Sequence, residues 1–208
     1  GTRRLLVNDV RIRHAPGMEA IHQARVATRR LRSNLKTFEP VLDADAIGTL
    51  RGELQWLGSL LGAVRDRDVL NGHLRELSAE VIDPIALGAH SLFERLATER
   101  REHADALTAA MTSARYIALV ETLWGSIQAP PLADRATAEQ RGRGTGTKLV
   151  NRTRRRVTRY TTQLPRRPDA PDLHEVRKRV KRLRYAAEAL EDVSGDGLRK
   201  MAKRSTFA

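Results

Sequence analysis

His22-Gln-Ala-Arg-Val-Ala-Thr-Arg-Arg-Leu-Arg32 occurs twice in this chain. It returns, 152 residues on and without a gap, as His174-Glu-Val-Arg-Lys-Arg-Val-Lys-Arg-Leu-Arg184. His22, Arg25, Arg29, Arg30, Leu31 and Arg32 thereby fall on His174, Arg177, Lys181, Arg182, Leu183 and Arg184. A period this long marks a duplicated domain-sized unit rather than a short solenoid module. At about 100° per residue, His22, Arg25, Arg29, Arg32 and Lys36 share an arc of roughly 80°, with Ile21, Ala24, Leu31, Leu35, Phe38 and Leu42 on the adjoining, core-facing arc. The second copy repeats both arcs, with His174, Arg177, Lys181 and Arg184 basic and Leu173, Val176, Val180, Leu183, Ala187 and Leu190 apolar. Cations that border a core face, rather than oppose it, suit the wall of a groove. A solvated basic face is the commoner fate of such a run. Like charges at i,i+4 repel, however, and few acidic residues stand nearby in sequence to relieve them. The repeated arrangement therefore predicts a receptor for a polyanion.

The 208 residues carry a formal net charge of +13, and the charge is unevenly placed. Residues 1–36 hold 9 Lys/Arg against 2 Asp/Glu, residues 37–147 hold 11 against 16, and residues 148–184 hold 14 against 3. Two focused positive regions around the two copies imply an anionic partner. The absence of cysteine excludes disulfides and Cys-ligated zinc. No apolar run approaches the ~20 residues of a membrane span, and no secretory signal is visible, so the cytoplasm is the expected location and no membrane partner is expected. An Ala-, Leu- and Arg-rich chain with 4% aromatics favours helices over sheet.

Along the chain, residues 3–12 read as a short amphipathic helix stopped at Pro16-Gly17, and the first basic helix follows over about 18–39, ending at Pro40. Asp43 or Asp45 is available to cap the next helix, expected to run to about Gly62 on Leu50, Leu54, Leu57 and Leu61. Gly62 to Leu70 reads as a helix junction with Asp66 as a cap. Asp83-Pro84 pairs an N-cap with proline at the first helical position and opens a helix through Leu92, Leu96 and Leu107. Tyr116 to Trp124 is another helical piece. Residues 129–147, with Pro130-Pro131 and glycines at 142, 144 and 146, read as a linker. Leu149 to Leu164 is an arginine-heavy helix broken by Pro165, Pro168 and Pro171, with Asp172 expected to cap the second basic helix. The expectation is an all-α fold of two helical bundles related by internal duplication: residues 1–128, the linker 129–147, and a second bundle 148–208. That second bundle is expected to be incomplete, because the counterparts of residues 45–128 would fall at 197–280.

Three stretches in correct order resemble a CHAD domain, the conserved-histidine α-helical domain. They are the run from His22 to Phe38, the run Leu54-x-Trp-Leu-xxx-Leu-Gly-Ala-Val-Arg-Asp-x-Asp-Val69, and the run from His174 to Ala186. The resemblance implies two four-helix bundles around a basic central channel that binds inorganic polyphosphate, in proteins that occur alone or beside a CYTH domain and in some cases associate with polyphosphate granules. The candidate polyphosphate-binding residues are His22, Arg25, Arg29, Arg30, Arg32, Lys36 and Arg65, then Arg152, Arg155, Arg156 and Arg159 on the preceding arginine-rich helix, and His174, Arg177, Lys178, Lys181, Arg182, Arg184 and Tyr185.

Polyphosphate is a dense run of oxyanions with no bases to read, and Arg suits it because a planar guanidinium forks onto phosphate oxygens. The histidines read as phosphate-contacting or helix-orienting donors, with phosphoryl transfer through them as an alternative. No catalytic residue, metal site or cofactor is expected, since no P-loop, HExxH or Ser/His/Asp signature is present. Asp66 and Asp68 point to different sides of a helix and suit capping or salt bridges better than metal. Nucleic acid is the competing polyanion, but single-strand binders add aromatic stacking platforms, and no aromatic lies within either basic arc. Trp56, Phe38, Phe93 and Trp124 sit on apolar stripes and are expected in the core.

Overall fold

The structure, a computed structural model, describes residues 2–14, 17–79, 86–133 and 135–190. Among them are seven α-helices and one 3-10 turn, with a single isolated β-bridge, Leu42 with Leu132, and no strand. The all-α expectation is met. The helices are α1 (Thr2–His14), α2 (Met18–Phe38), α3 (Ala44–Ala79), α4 (Ala86–Thr112), α5 (Ala114–Gln128), α6 (Arg135–Thr162) and α7 (Ala170–Ala189), and the 3-10 turn Glu39–Val41 follows α2. The expected pair Asp83-Pro84 lies outside the described residues.

The chain forms two compact units: Gly1–Arg29 with Gly52–Gln128, and Arg30–Arg51 with Ala129–Ala208. This division differs from the expected boundary at 128, because residues 30–51 belong with the C-terminal helices. In the first unit, α4 packs on α5 and on α1. Its core contains Leu5 and Ile12 of α1, Ile21, Ala24 and Ala27 of α2, Leu54, Leu57, Leu61 and Val64 of α3, Leu107 and Met111 of α4, and Leu119 and Leu123 of α5. In the second unit, α6 packs on α7, and Val150 joins Leu183, Ala186 and Ala187, flanked by Val157 and Leu190.

α3 corrects two expectations. It does not stop near Gly62 but continues to Ala79, a span of about 54 Å at 1.5 Å per residue. Buried Ile47, Leu50, Leu54, Leu57, Leu61, Val64 and Asp68 follow alternating steps of three and four straight through the supposed junction. A glycine inside a helix costs only about 1 kcal/mol against alanine, so Gly62 is no stop. A Cβ there would stand 3.5 Å from the Arg25 guanidinium carbon, an ordinary van der Waals contact. At the start of α3 the backbone N–H of Ala46 donates to Asp43 Oδ1 at 2.8 Å, the cap expected of Asp43 or Asp45.

The expected linker is also largely helical, since α6 begins at Arg135 and runs through all three glycines. Gly146 is where α7 comes close; a Cβ on it would lie 2.8 Å from Leu190 Cδ1. Ahead of α6, the N–H of Asp43 donates to the Pro131 carbonyl at 2.9 Å, and that of Ala133 to the Val41 carbonyl at 3.3 Å, so the proline pair is tied to the turn after α2. The cap of α7 is Asp169, not Asp172. Its carboxylate accepts from the Asp172 N–H at 2.8 Å, with Pro171 in the first turn, where a missing N–H costs nothing.

Two apolar expectations fail, one by helix phase and one by position along its helix. Trp124 is 56% exposed because the buried face of α5 runs Tyr116, Leu119, Leu123, which places the next residue about 100° away. Leu173 is 55% exposed because the buried residues of α7 all lie in its second half, from Leu183 to Ala187. Trp56, Phe38 and Phe93 are half-buried rather than core.

Candidate functional site

The first unit holds several of its arginines in ion pairs with carboxylates. Arg25 of the first motif donates to Asp66 Oδ1 at 2.6 Å and to the Gly62 carbonyl at 3.3 Å. Arg67 pairs with Glu99 and Arg100 with buried Asp68, each at 2.7 Å across α3 and α4. Arg115 forks onto Glu53 at 2.6 and 3.0 Å while stacking over Trp56 at 4.2 Å. That hydrogen bonding holds the Glu53 carboxyl below its ordinary range. Arg13 reaches Asp9 at 3.1 Å and the Met111 carbonyl at 2.6 Å. Asp66 and Asp68 are thus salt-bridge residues, with Arg25 and Arg100 as partners rather than the adjacent Arg65. The acids that relieve Arg25 and its neighbours come from other helices, which is why sequence proximity did not reveal them. Among the expected site residues of this unit, Arg29 is exposed, His22 and Arg65 are half-buried, and Arg29 and Arg65 have no acidic partner among the described residues.

In the second unit the expected residues divide three ways. One group is structural. Tyr185 is only 3% exposed, with the guanidinium of Arg30 at 5.0 Å and that of Arg184 at 5.2 Å from its ring, and Glu188 reaches both arginines, at 3.2 and 3.5 Å. A buried ring clamped in this way presents no surface to a ligand, so Tyr185 drops out as a contact residue. Arg32 is half-buried, with its Nε away from solvent.

A second group lies on α7. His174, Arg177 and Lys178 are exposed and Lys181 is half-buried; His174, Arg177 and Lys181 lie on the arc expected from the spacing. Lys178 and Arg179 both pair with Glu175, at 2.6 and 3.0 Å, and the hydrogen bond from Lys178 holds that carboxyl below its ordinary range.

The third group is gathered in a recess of about 350 Å³. Lys36 at the end of α2, Arg152 and Arg156 of α6, and Arg182 of α7 line it, beside Arg179, which the spacing had not singled out. Glu39 is the one carboxylate in its lining; Thr37, Pro40, Leu149, Thr153 and Val157 complete the wall. Arg155 and Arg159 are exposed on α6 but do not line it. Arg179 was missed because the repeat places it on Ala27, a buried core position of α2. Its signal in the sequence was the i,i+3 pairing with Arg182.

With this geometry in view, the comparisons are consistent. The CHAD domain family model matches residues 1–206, and the chain belongs to that family. It is similar to the uncharacterized proteins MT2285 and Rv2226 of two strains of Mycobacterium tuberculosis, each 32% identical over 89% of this chain and 36% of the relative. The chain therefore spans little more than a third of those curated relatives. Among solved structures it resembles the crystal structure of the CHAD domain from the plant Ricinus communis, with a TM-score of 0.72 and 26% identity over 99% of this chain and 69% of that one. It also resembles PptA from Streptomyces chartreusis, with a TM-score of 0.67 and 25% identity over 99% of this chain and 76% of that one. No helix among the described residues is long and apolar enough to cross a membrane.

Proposed function

We propose that this chain binds inorganic polyphosphate through the basic faces of α2, α6 and α7, without catalysing its cleavage. The observation that carries the reading is a group of exposed cations on these faces with no carboxylate partner among the described residues, including Arg29, Lys36, Arg152, Arg155, Arg156, Arg159, Arg177 and Arg182. In a chain that pairs so many of its other arginines, cations left open on two or three neighbouring helical turns are poised for a mobile polyanion. Arginine predominates among them, and its fork matches phosphate oxygens. The absence of an exposed aromatic from these faces favours polyphosphate over single-stranded nucleic acid, because Tyr185 is buried and Tyr160 lies beneath Arg179 at 4.2 Å.

The test is calorimetric titration with long-chain polyphosphate at about 0.15 M salt, where only close charges escape screening, beside single- and double-stranded DNA at equal phosphate concentration. A parallel assay follows phosphate release. Tight binding of polyphosphate, weak binding of DNA and no release are expected. The double variant Arg29→Glu/Arg177→Glu should bind about 100-fold more weakly, the loss expected from two charge-assisted contacts. Equal binding of all three polymers would make the faces a generic polyanion surface, and phosphate release would make the protein an enzyme.

A further inference from the structure

α5 is apolar on two faces, and the first unit covers one of them. Tyr116, Leu119 and Leu123 are buried, whereas Ile117, Trp124 and Ile127 are each more than half exposed and Val120 is half-buried. A helix that is apolar beyond its core-facing stripe needs cover on its second face as well. At about 100° per residue, Ile117, Val120, Trp124 and Ile127 fall within roughly 80° of arc, in one stripe about 15 Å long. We infer that this stripe is a dimerisation surface, and that its partner is the α5 stripe of a second copy of this chain, packed antiparallel.

The spacing fits the helix to itself. The steps of three, four and three residues are symmetric about position 122. A two-fold axis there sets Ile117 of one copy level with Ile127 of the other, and Val120 level with Trp124. One stripe is then its own complement, as an isologous contact requires. Packed helices approach to about 8–10 Å, close enough for the Trp124 ring to cover the smaller Val120 side chain of the second copy.

Charge selects the same partner. The chain has 38 Lys/Arg, yet residues 116–134 contain none. Of the two charged residues of α5, Arg115 lies about 160° round the helix from the stripe, held by Glu53 of α3 at 2.6 Å, and Glu121 borders the stripe. Two chains of net charge +13 therefore meet here without bringing basic side chains together. An anionic bilayer fits less well, since interfacial helices carry Lys and Arg beside their apolar face. A pair of 15-residue helices lies at the low end of interface sizes, under about 1,200 Å², so the dimer is reversible rather than obligate. The basic faces of α2, α6 and α7 take no part in it, and the inference does not depend on the polyphosphate reading.

Sedimentation velocity of the whole chain from about 1 to 200 µM, in about 0.5 M salt to screen repulsion between copies, should show a reversible monomer–dimer equilibrium. Trp124→Ala should weaken dimerisation at least about 30-fold, the loss of a central aromatic anchor. Leu173→Ala removes a similarly exposed apolar side chain from α7 and should change it less than about 3-fold, with circular dichroism confirming equal helicity in both variants. The antiparallel register has its own test, free of background because the chain has no cysteine. A mixture of Ile117→Cys and Ile127→Cys chains should give a heterodimer with a short thiol–thiol cross-linker. Either variant alone should not, because its two thiols would stand about 15 Å apart along the helix axis. A chain that stays monomeric throughout, equal losses in the two alanine variants, or self-cross-linking as efficient as that of the mixture would overturn the inference. So would a monomeric chain that binds phosphatidylglycerol vesicles and loses that binding in Trp124→Ala, which would give the stripe to lipid.

Discussion

The two units use the same residue type for opposite ends. In the first, arginine is cross-linking material: Arg25, Arg67, Arg100 and Arg115 each reach a carboxylate on another helix, all four through hydrogen bonds of 2.7 Å or less to α3 or from it. In the second, Arg152, Arg155, Arg156 and Arg159 of α6 have no carboxylate partner among the described residues, and Arg152 and Arg156 join a recess whose lining includes one acid. The difference follows from where the acids are. Residues 37–147 carry an excess of Asp and Glu, whereas residues 148–184 carry only 3 against 14 cations. A cation near acids stabilises the fold; one without them stays open to an anion from outside.

The largest effect that would sharpen this contrast is in salt. If the open cations carry binding, polyphosphate affinity should fall by about 10³-fold or more between 50 and 200 mM salt through counterion release. Thermal stability over the same range should move little, because partly buried pairs are weakly screened. An affinity indifferent to salt would break the comparison at its functional end.

Next in size is the loss of an internal pair. Asp68→Ala leaves the Arg100 guanidinium, now mostly covered, without its 2.7 Å partner and should cost about 2–3 kcal/mol in denaturant unfolding. Arg156→Ala, on the open face of α6, should stay within about 0.5 kcal/mol of the parent. Similar costs for the two substitutions would mean that the arginines of both units are structural.

A smaller effect tests the first unit alone. Tyr116 is buried, and its hydroxyl donates to Asp9 at 2.8 Å. Burial first, and the Asp9 hydrogen bond second, push the phenol far above its ordinary value. The unfolded chain then loses this proton near pH 10 while the folded chain keeps it. Stability from this group is full below pH 10 and declines as the pH rises above it. Tyr116→Phe should lower stability at pH 7 by about 1.5–3 kcal/mol, the worth of a hydrogen bond to a charged group, and flatten the alkaline decline. An unchanged alkaline profile would remove Tyr116 from this account. Smallest of all is Gly52→Ala. A Cβ there meets nothing within 4 Å, so the substitution should raise stability by up to about 1 kcal/mol.

Much of this molecule was legible in residue order. The periodicity of α2 and the second basic helix, the stop at Pro40, the Asp43 cap and the membership shown by three ordered motifs all rest on local chemistry, in which each residue's neighbours decide its conformation. Glycine was the repeated source of error. Gly62 and Gly146 read as breaks because a missing side chain looks the same whether it frees the backbone or admits a neighbour. Here Gly146 admits Leu190, while Gly62 simply lies inside a continuous helix. Charge was similarly ambiguous. Arg25, Arg29 and Arg30 share one motif, yet Arg25 meets Asp66, Arg30 meets Glu188, and Arg29 stays open.

The sequence by itself determined that the chain is helical, where its basic helices lie, and that positive charge is concentrated around them, because helix phase and charge density are properties of neighbours along the chain. Only the tertiary structure decided which cations are neutralised, that Tyr185 is buried, and that Arg179 joins Arg152, Arg156 and Arg182 in one recess. Those outcomes depend on side chains far apart in sequence meeting at hydrogen-bonding distance, and no local pattern encodes which ones meet.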